Sequence, residues 1–291
     1  MEKIGFAGLG VMGEPICRNI VVKSGAKAQV FDLSPDPLAR LAEFGAQTAD
    51  SIGAMAAEVD ILFLSLPGGP QLDAVTRGPG GILDTARDGL LVVDMTTAPV
   101  GLTRELAAAV AQKGVTWVDA PVARTRAAAE SGTLSIMVGG TEAQFDRVRP
   151  WLAHAASDVT HCGPLGCGQV AKLLNNMVLF ENVVALSEAQ ALGRAAGMDV
   201  DLLFDVLSKG SADSFALRNH GMKAMLPDDF PKGAFPTDYA LKDVSYALEI
   251  ARDAGIDAPG ATLAQTRMEI AQAAGFGAEY FPVLTRLTGK S

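Results

Sequence analysis

Short apolar runs alternate with amphipathic stretches up to about residue 162 of the chain. The apolar runs predict buried strands, and the stretches between them, in which apolar residues recur three or four positions apart, predict helices. Strands that alternate with helices are typical of βαβ units and of a mainly parallel sheet. The predicted strands are Lys3–Ala7, Ala28–Asp32, Ile61–Leu66, Leu90–Asp94, Val115–Asp119, Ser135–Val138 and Val159–Cys162. Predicted helices among them include Gly13–Val22, Pro35–Phe44, Pro99–Lys113 and Glu142–Leu152.

The pattern changes after the turn at 163–166, where a helical pattern runs from Cys167 to about Ala196 and ends at Gly197. Only helices are predicted beyond it, over Val200–Ser208, Ser214–Met225, Asp238–Ala254 and Pro259–Ala274. The predicted fold is therefore α/β, with an N-terminal Rossmann-type doubly wound sheet followed by an all-α C-terminal domain that begins with a long interdomain helix. We place the domains at residues 1–163 and 164–291.

Composition narrows the functional classes. Of 291 residues, 49% are hydrophobic, which suffices for two buried cores. The net charge of −9 argues against nucleic-acid binding, so an anionic substrate requires a local cation. The three cysteines form no cluster with histidine, which predicts no metal and fits a reducing cytoplasm. We find no signal peptide and no uninterrupted apolar run of about 18 residues, and therefore expect neither secretion nor a membrane span.

A glycine motif links the first predicted strand to the first predicted helix. Its first glycine permits a tight turn, its second allows a pyrophosphate to approach the backbone, and its third packs the helix against the strand. The helix N-terminus then offers free N–H groups to the phosphates. The motif, which predicts a dinucleotide site, reads Gly8-Leu9-Gly10-Val11-Met12-Gly13.

Asp32 ends the next predicted strand. A carboxylate at this place accepts hydrogen bonds from the adenosine ribose hydroxyls and repels the 2′-phosphate of NADP, which favours NAD. A helix cap before Ser34 and Pro35 is the alternative role.

Several further motifs occur in the order found in the β-hydroxyacid dehydrogenases, the family of 3-hydroxyisobutyrate dehydrogenase and tartronate semialdehyde reductase, which the chain resembles over nearly its whole length. Besides the glycine motif, they are Leu66-Pro67, Asp94-Met95-Thr96-Thr97-Ala98-Pro99, Gly163-Pro164-Leu165-Gly166-Cys167-Gly168-Gln169-Val170-Ala171-Lys172-Leu173-Leu174-Asn175-Asn176, and Leu241-Lys242-Asp243 preceded by Phe235.

The resemblance implies a role for single residues in these motifs. Leu66 and Pro67 pass beside the cofactor, and Thr97 contacts the nicotinamide ribose. Lys242 contacts cofactor or substrate, while Asp243 supports the site through hydrogen bonds.

Lys172 is the implied acid/base. Its apolar neighbours in the sequence disfavour the charged ammonium and so favour proton exchange with an alcohol or carbonyl. Asn176 lies four positions later on the same helical face, where its amide is expected to hold the substrate oxygen. A solvated lysine on an amphipathic helix is the alternative interpretation of Lys172.

The substrate loop, defined as Ala123-Arg124-Thr125, departs from the family pattern. Most members have Ser-Gly-Gly there, a loop that receives the substrate carboxylate. The Arg-Thr pair is similar to the Gly-Arg-Thr of sulfolactaldehyde reductases, a branch of the family that binds a sulfonate. Since a guanidinium offers a planar fork of donors, we expect the loop to bind the acid group of the substrate. The alternative is that Arg124 pairs with an acid on a neighbouring loop, and Arg126 is expected to face solvent.

The expected function is therefore NAD-dependent hydride transfer between nicotinamide and a small acidic hydroxy compound or its semialdehyde. A sulfolactaldehyde reductase and a carboxylate-specific 3-hydroxyisobutyrate, tartronate semialdehyde or 4-hydroxybutyrate dehydrogenase both stay open. An imine reductase, which lacks the lysine, and a non-catalytic NAD-binding sensor are the remote alternatives. The long helix and the family habit lead us to expect a homodimer or homotetramer.

Overall fold

The computed structural model describes residues 2–289, and the chain divides into two units, the first ending at Lys172 and the second beginning at Leu173. The first unit is built on a nine-stranded sheet. Its strands are β1 (Ile4–Ala7), β2 (Ala28–Phe31), β3 (Gln47–Thr48), β4 (Ile61–Leu64), β5 (Leu91–Asp94), β6 (Thr116–Asp119), β7 (Val122–Ala123), β8 (Leu134–Gly139) and β9 (Ala156–Gly163).

Six parallel strands in the order β3-β2-β1-β4-β5-β6 form the main part of the sheet. β8 pairs antiparallel with β6 and β7, and β9 pairs parallel with β8. The strand order reverses between β1 and β4, which is the place where a doubly wound sheet opens its ligand crevice. The helices of this unit are α1 (Gly13–Ser24), α2 (Pro35–Ala42), α3 (Ile52–Glu58), α4 (Gly69–Arg77), α5 (Ile82–Thr85), α6 (Val100–Ala111), α7 (Arg126–Ser131) and α8 (Glu142–Leu152).

The central strands β1, β4 and β5 are buried on both faces of the sheet, as expected for parallel strands covered by helices. Alternate residues of one strand enter different cores: Ile61 and Phe63 of β4 join one apolar cluster, and Leu62 and Leu64 join the other. Phe6 of β1 stacks on Phe63 with ring centroids 5.8 Å apart. This two-sided burial explains why the strands read as continuous apolar runs in the sequence.

The second unit is helical. Its helices are the remainder of α9 (Cys167–Ala195), which begins in the first unit, and α10 (Val200–Lys209), α11 (Thr237–Ala254) and α12 (Pro259–Ala271). A 3₁₀ segment follows at Phe281–Leu287. Its core surrounds Phe180, whose ring meets Phe281 edge-on at 5.2 Å. Both units together confirm the predicted fold class.

Several predicted boundaries were wrong. Leu217–Met225 is a π-helix, in which Leu226 N donates to Gly221 O, and not part of the α-helix predicted over Ser214–Met225. The helix predicted to Ala274 leaves α-geometry at Ala271, before Gly275 takes a left-handed φ of 90°. Apolar spacing over so few residues does not separate a helix of 3.6 residues per turn from a slightly wider one.

The long helix α9 is apolar enough, by length and composition alone, to cross a membrane. A core helix of a soluble protein meets the same criterion, so this is weak evidence. Among residues 2–289, no three His, Cys, Asp or Glu side chains are grouped so as to hold a metal ion.

Candidate active site

Of the three motif glycines in the turn after β1, Gly10 is the one with open space where a Cβ would lie. A Cβ on Gly8, whose φ is +87°, would lie 2.2 Å from the carbonyl oxygen of Ser65, and a Cβ on Gly13 would lie 2.0 Å from that of Gly8. Packing within the protein therefore requires both glycines. A Cβ on Gly10 would meet no atom within 4 Å. The open backbone at Gly10 fits the close approach of a dinucleotide pyrophosphate.

The same turn opens α1. Met12 occupies the N-cap position without making a side-chain capping bond. Within the first turn, Glu14 N already donates to Gly10 O at 3.1 Å, and Pro15 has no N–H. The positive end of the helix dipole still favours a phosphate at this place. Leu9 is buried and Val11 is 52% exposed. The turn thus presents polar backbone and one apolar side chain to the surface.

Asp32 lies directly after β2 and beside this turn. Its Oδ2 accepts from the backbone N–H of Leu9 at 2.6 Å, and its Oδ1 accepts from that of Ser34 at 2.8 Å. Ser34, and not Asp32, is the N-cap of α2, which removes the alternative role considered for this aspartate. A carboxylate oxygen can accept more than one hydrogen bond, so both oxygens of Asp32 retain capacity for ribose hydroxyls.

Thr96 joins the loops that follow β4 and β5. Its hydroxyl accepts from the backbone N–H of Leu66 at 3.0 Å, and its own N–H donates to Asp94 Oδ1 at 2.9 Å. Its neighbour Thr97 is half-buried, and Pro67, next to Leu66, is exposed. The structure therefore places three predicted cofactor residues on two loops that are held together at the carboxyl edge of the sheet.

Gln169 ties the same region to the first turn of α9. Its side chain is fully buried, donates from Nε2 to Thr96 O at 2.6 Å and accepts at Oε1 from Ala98 N at 3.2 Å. Two backbone groups on either side of Thr97 are thus fixed by one side chain, three residues before Lys172 on the helix.

Asp119, at the end of β6, anchors the start of α9. Its Oδ1 accepts from Gly166 N at 2.6 Å and its Oδ2 from Gln169 N at 2.7 Å. A Cβ on Gly168 would lie 2.4 Å from Met137 O and 2.7 Å from Asp119 Oδ2. Only glycine therefore allows the helix to begin this close to the sheet.

Asp94 and Asp119 face each other on neighbouring strands, β5 and β6. Burial raises the pKa of Asp94 to about 8, against hydrogen bonds from Thr96 that lower it. Burial also raises the pKa of Asp119, against backbone hydrogen bonds that lower it. Asp94 Oδ2 finds no hydrogen-bond partner among the described residues, whereas both Asp119 oxygens accept N–H groups. The pKa of about 8 favours the neutral acid at Asp94 near neutral pH, whereas the N–H groups on both Asp119 oxygens favour the charged form there.

Lys172 is half-buried on α9, at the end of the first unit. Asn176, one helical turn later, is 2% exposed and belongs to the second unit. Its amide Nδ2 donates to Asp243 Oδ2 at 2.7 Å, and its Oδ1 accepts from Asn175 at 3.1 Å. Asn176 thus joins the long helix to the late Lys-Asp motif within the second unit, while its predicted partnership with Lys172 stays a prediction.

Lys242 forms an ion pair with the same carboxylate, that of Asp243. Its ammonium is 3.3 Å from Asp243 Oδ1, and the ring centroids of Tyr239 and Tyr246 lie 5.2 and 5.6 Å away. Aromatic faces and a carboxylate together hold a cation in a defined place. Phe235, which precedes the motif, packs in the core against Phe180 and Phe281 at 5.9 and 5.6 Å between centroids.

Arg124 of the substrate loop is engaged within the first unit. Its guanidinium donates to Asp158 Oδ2, to Ser157 Oγ and to Thr133 O, each at 2.6 Å. This is the pairing with a neighbouring acid that the sequence left open as an alternative. Contact of Arg124 and Thr125 with a substrate stays a prediction.

Gln169, Asp119, Gly168 and Asp158 were not singled out from the sequence. The first three lie in or next to quoted motifs, but a buried glutamine or aspartate reveals its partners only when the strands are assembled. Asp158 offered no signal, since it lies in an exposed stretch of alternating polar residues.

Two family models match the chain. One, described as the NAD binding domain of 6-phosphogluconate dehydrogenase, matches residues 3–163. The other, described as NAD-binding of NADP-dependent 3-hydroxyisobutyrate dehydrogenase, matches residues 166–287. Together they cover both units.

Characterised relatives are similar over nearly the full length. A 2-(hydroxymethyl)glutarate dehydrogenase of Eubacterium barkeri is 36% identical over 95% of this chain and 91% of its own length. An NAD-dependent L-serine dehydrogenase of Pseudomonas aeruginosa is 30% identical over 99% and 98%. The solved structure of Mycobacterium tuberculosis 3-hydroxyisobutyrate dehydrogenase with L-serine has a TM-score of 0.90 and 31% identity, and covers 99% of both chains. An imine reductase of Myxococcus stipitatus, 19% identical over 98% of this chain and 99% of its own with a TM-score of 0.66, shares the fold alone.

Proposed function

Because the chain belongs to the β-hydroxyacid dehydrogenase family, whose members are NAD-dependent enzymes acting on hydroxyl groups, we propose that its substrate is a β-hydroxy carboxylate with a primary alcohol, HO–CH₂–CHR–COO⁻. One observation carries the proposal. The compounds named for the three similar proteins, 2-(hydroxymethyl)glutarate, L-serine and 3-hydroxyisobutyrate, share this unit and differ only in R.

The cofactor site fits NAD on the geometry of the glycine turn. The open backbone at Gly10 and the first turn of α1 would hold the pyrophosphate, and Asp32 would hold the adenosine ribose. Leu66, Pro67 and Thr97 would contact the nicotinamide half. When bound, NAD supplies the redox chemistry by accepting two electrons and one hydrogen from the alcohol carbon.

Lys172 is the proposed base for alcohol oxidation. As a neutral amine it accepts the hydroxyl proton while the C–O bond becomes a carbonyl, so that alcohol and NAD⁺ give aldehyde, NADH and one proton. In reduction the resulting ammonium returns the proton to the carbonyl oxygen. Its half-buried position and the anchoring of its helix by Asp119 and Gln169 support this role.

Asn176 orients the substrate oxygen in this proposal. Its buried amide has a single orientation that satisfies Asp243, because a carboxylate only accepts hydrogen bonds. The fixed amide positions the reacting oxygen and lowers the entropic cost of reaction. Lys242 adds a positive charge for the substrate or cofactor, held by Asp243.

We favour a carboxylate over a sulfonate as the acid group of the substrate. The Arg-Thr pair of the substrate loop is the observation that favours the sulfonate, but the positive charge of Arg124 is matched by Asp158 at 2.6 Å. A sulfolactaldehyde reductase is therefore the second candidate, tested directly in the same assay.

The experiment is a kinetic comparison by NADH absorbance. We expect the highest kcat/KM with NAD⁺ and one of 3-hydroxyisobutyrate, L-serine or 2-(hydroxymethyl)glutarate. Glycerate and 3-hydroxypropionate, which carry the same unit with R = OH and R = H, extend the series. A sulfonated propanediol and 4-hydroxybutyrate lack the unit and serve as competitors, and NADP⁺ serves as the alternative cofactor. Preference for the sulfonate would overturn the carboxylate assignment, and NADH formation with none of them would overturn the proposed function.

A further inference from the structure

Arg124 has a backbone conformation that is unusual for its side chain. Its φ is +86°, and Arg124 and Asp228 are the two non-glycine residues with positive φ within residues 2–289. A side chain with a Cβ is disfavoured there, whereas glycine is not. Something in the surroundings must offset this cost, because the loop keeps the conformation.

The pairing of the strands around Arg124 brings polar partners within reach of its side chain. Ala123 of β7 pairs with Ser135 of β8, and Ser135 pairs in turn with Asp158 of β9, so the three lie in one row across the sheet. The side chain of Arg124 crosses the beginning of β8 from this row and reaches β9.

The guanidinium makes three polar contacts, two with residues of β9 and one with Thr133, which directly precedes β8. Nη2 donates to Asp158 Oδ2, and Nη1 donates to Ser157 Oγ and to the carbonyl oxygen of Thr133, each at 2.6 Å. Ser157 also donates to Asp158 at 2.8 Å. A planar guanidinium that bonds β9 and the residue before β8 at once is more rigid than an isolated surface ion pair, whose contribution is small.

We propose that Arg124, Ser157 and Asp158 form a brace that holds the substrate loop in its left-handed turn, which makes Arg124 a positioning residue whose guanidinium does not bind the substrate. The inference rests on the proposed function, because it concerns the loop that receives the substrate carboxylate. The brace shapes the loop backbone, and Asp158 takes up the positive charge that an anion ligand would need.

The two possible roles of Arg124, bracing the loop and binding the substrate, predict opposite effects of replacing Asp158. If the brace is correct, D158A removes its acceptor and raises KM for the preferred hydroxy acid about tenfold, equal to about 1.4 kcal/mol. R124A raises KM to the same extent, and both leave kcat and the Kd for NADH within about twofold. If Arg124 binds the substrate instead, D158A frees the guanidinium, so KM falls or stays unchanged, and that result overturns the proposal.

R124G supplies a second test. Glycine adopts positive φ without strain, so this variant keeps the turn without the brace, and we expect KM to rise about threefold or less. If Arg124 binds the substrate directly, R124G and R124A should instead raise KM equally, because both remove the guanidinium. The double variant R124A/D158A should be no worse than either single variant, because the two residues act through one interaction.

R126A is the matched control. Arg126 lies two residues after Arg124, is exposed, and pairs with Glu130 on its own short helix at 2.9 Å. We expect its KM to equal that of the wild type.

Hydrogen exchange without substrate separates failure of the brace from failure of the proposed function. Amides at 123–128 should exchange faster in R124A and D158A than in the wild type and in R126A. Unchanged exchange overturns the brace, even if the wild type is active. If the wild type oxidises no hydroxy acid, the proposed function fails, and the exchange result still decides whether the brace exists.

Discussion

Asp243 determines the orientation of the Asn176 amide. The carboxylate accepts from Asn176 Nδ2 at 2.7 Å in a buried place, and it only accepts, so the carbonyl oxygen of Asn176 must point elsewhere. That oxygen accepts from Asn175 Nδ2 at 3.1 Å, so each end of the Asn176 amide has a defined partner.

Replacement of Asp243 by alanine should therefore lower kcat. The Asn176 amide loses its acceptor and Lys242 its counter-charge, and loss of a hydrogen bond to a charged group, about 1.5–3 kcal/mol, corresponds to roughly 10- to 100-fold in rate. The Kd for NADH, measured by fluorescence titration, should change much less. Asp253→Ala, an exposed position on α11, is the control and should behave as the wild type. An unchanged kcat in D243A would refute this role.

Lys172→Ala should abolish turnover while leaving NADH binding almost intact. Loss of a positioned acid/base costs about 10² to 10⁴ in kcat, and the glycine turn lies elsewhere in the sequence. Steady-state assays and NADH titration measure the two properties separately. Lys209→Ala removes an exposed lysine that is paired with Asp205 one turn earlier, and should have no effect. Retained turnover in K172A would show that another group transfers the proton.

Gln169→Ala should weaken both the fold and NADH binding. Thr96 O and Ala98 N lose their buried partner, which costs about 1–3 kcal/mol in the free energy of unfolding. Because the segment between them carries Thr97, we also expect the Kd for NADH to rise roughly threefold or more. Urea unfolding and NADH titration are the measurements. Gln169→Glu places an acceptor oxygen against the buried carbonyl oxygen of Thr96, so it should be no more stable than Q169A. Equal stability of Q169A and the wild type would contradict the argument.

The pH dependence of stability should carry a contribution from Asp94. Burial raises its pKa from an ordinary 3.8 to about 8, so the folded chain binds a proton there that the unfolded chain has released. Stability therefore falls as pH rises between about 4 and 8, by up to about 1.4 kcal/mol per pH unit from this group. Asp94→Asn mimics the protonated form and should remove that slope in thermal unfolding curves.

Asp119→Asn is the contrasting variant. One of its two acceptor oxygens becomes an NH₂ group, so Gly166 or Gln169 loses its partner and the start of α9 is weakened at every pH. We expect lower stability and lower kcat in D119N but not in D94N. The reverse order would show that the proton resides on Asp119.

Much of the fold could be predicted because its causes are local. Buried parallel strands read as apolar runs, and the glycine motif lies between a strand and a helix, where its spacing has one physical use. The ends of the strands and helices were predicted less accurately. β2 ends at Phe31 and not at Asp32, because the carboxylate of Asp32 turns to the backbone of Leu9 and Ser34.

For the site, too, part was predictable from the sequence and part was not. The place of Asp32 after its strand indicated a ribose contact, and the resemblance to the family implied the roles of Lys172 and Asn176, which stay predictions. The partners of these residues were not predictable, because Gln169 meets Thr96 and Asn176 meets Asp243 across gaps of 73 and 67 positions in the sequence.

Arg124 shows the limit most clearly. By itself, the sequence determined that an arginine replaces a glycine of the family pattern, and from its chemistry alone an anion ligand was a reasonable interpretation. Only the tertiary structure decided that β9 lies beside β8 and presents Asp158 to that guanidinium. Charge and spacing along a chain define what a side chain can bind, but the strand order defines which partner is within 3 Å.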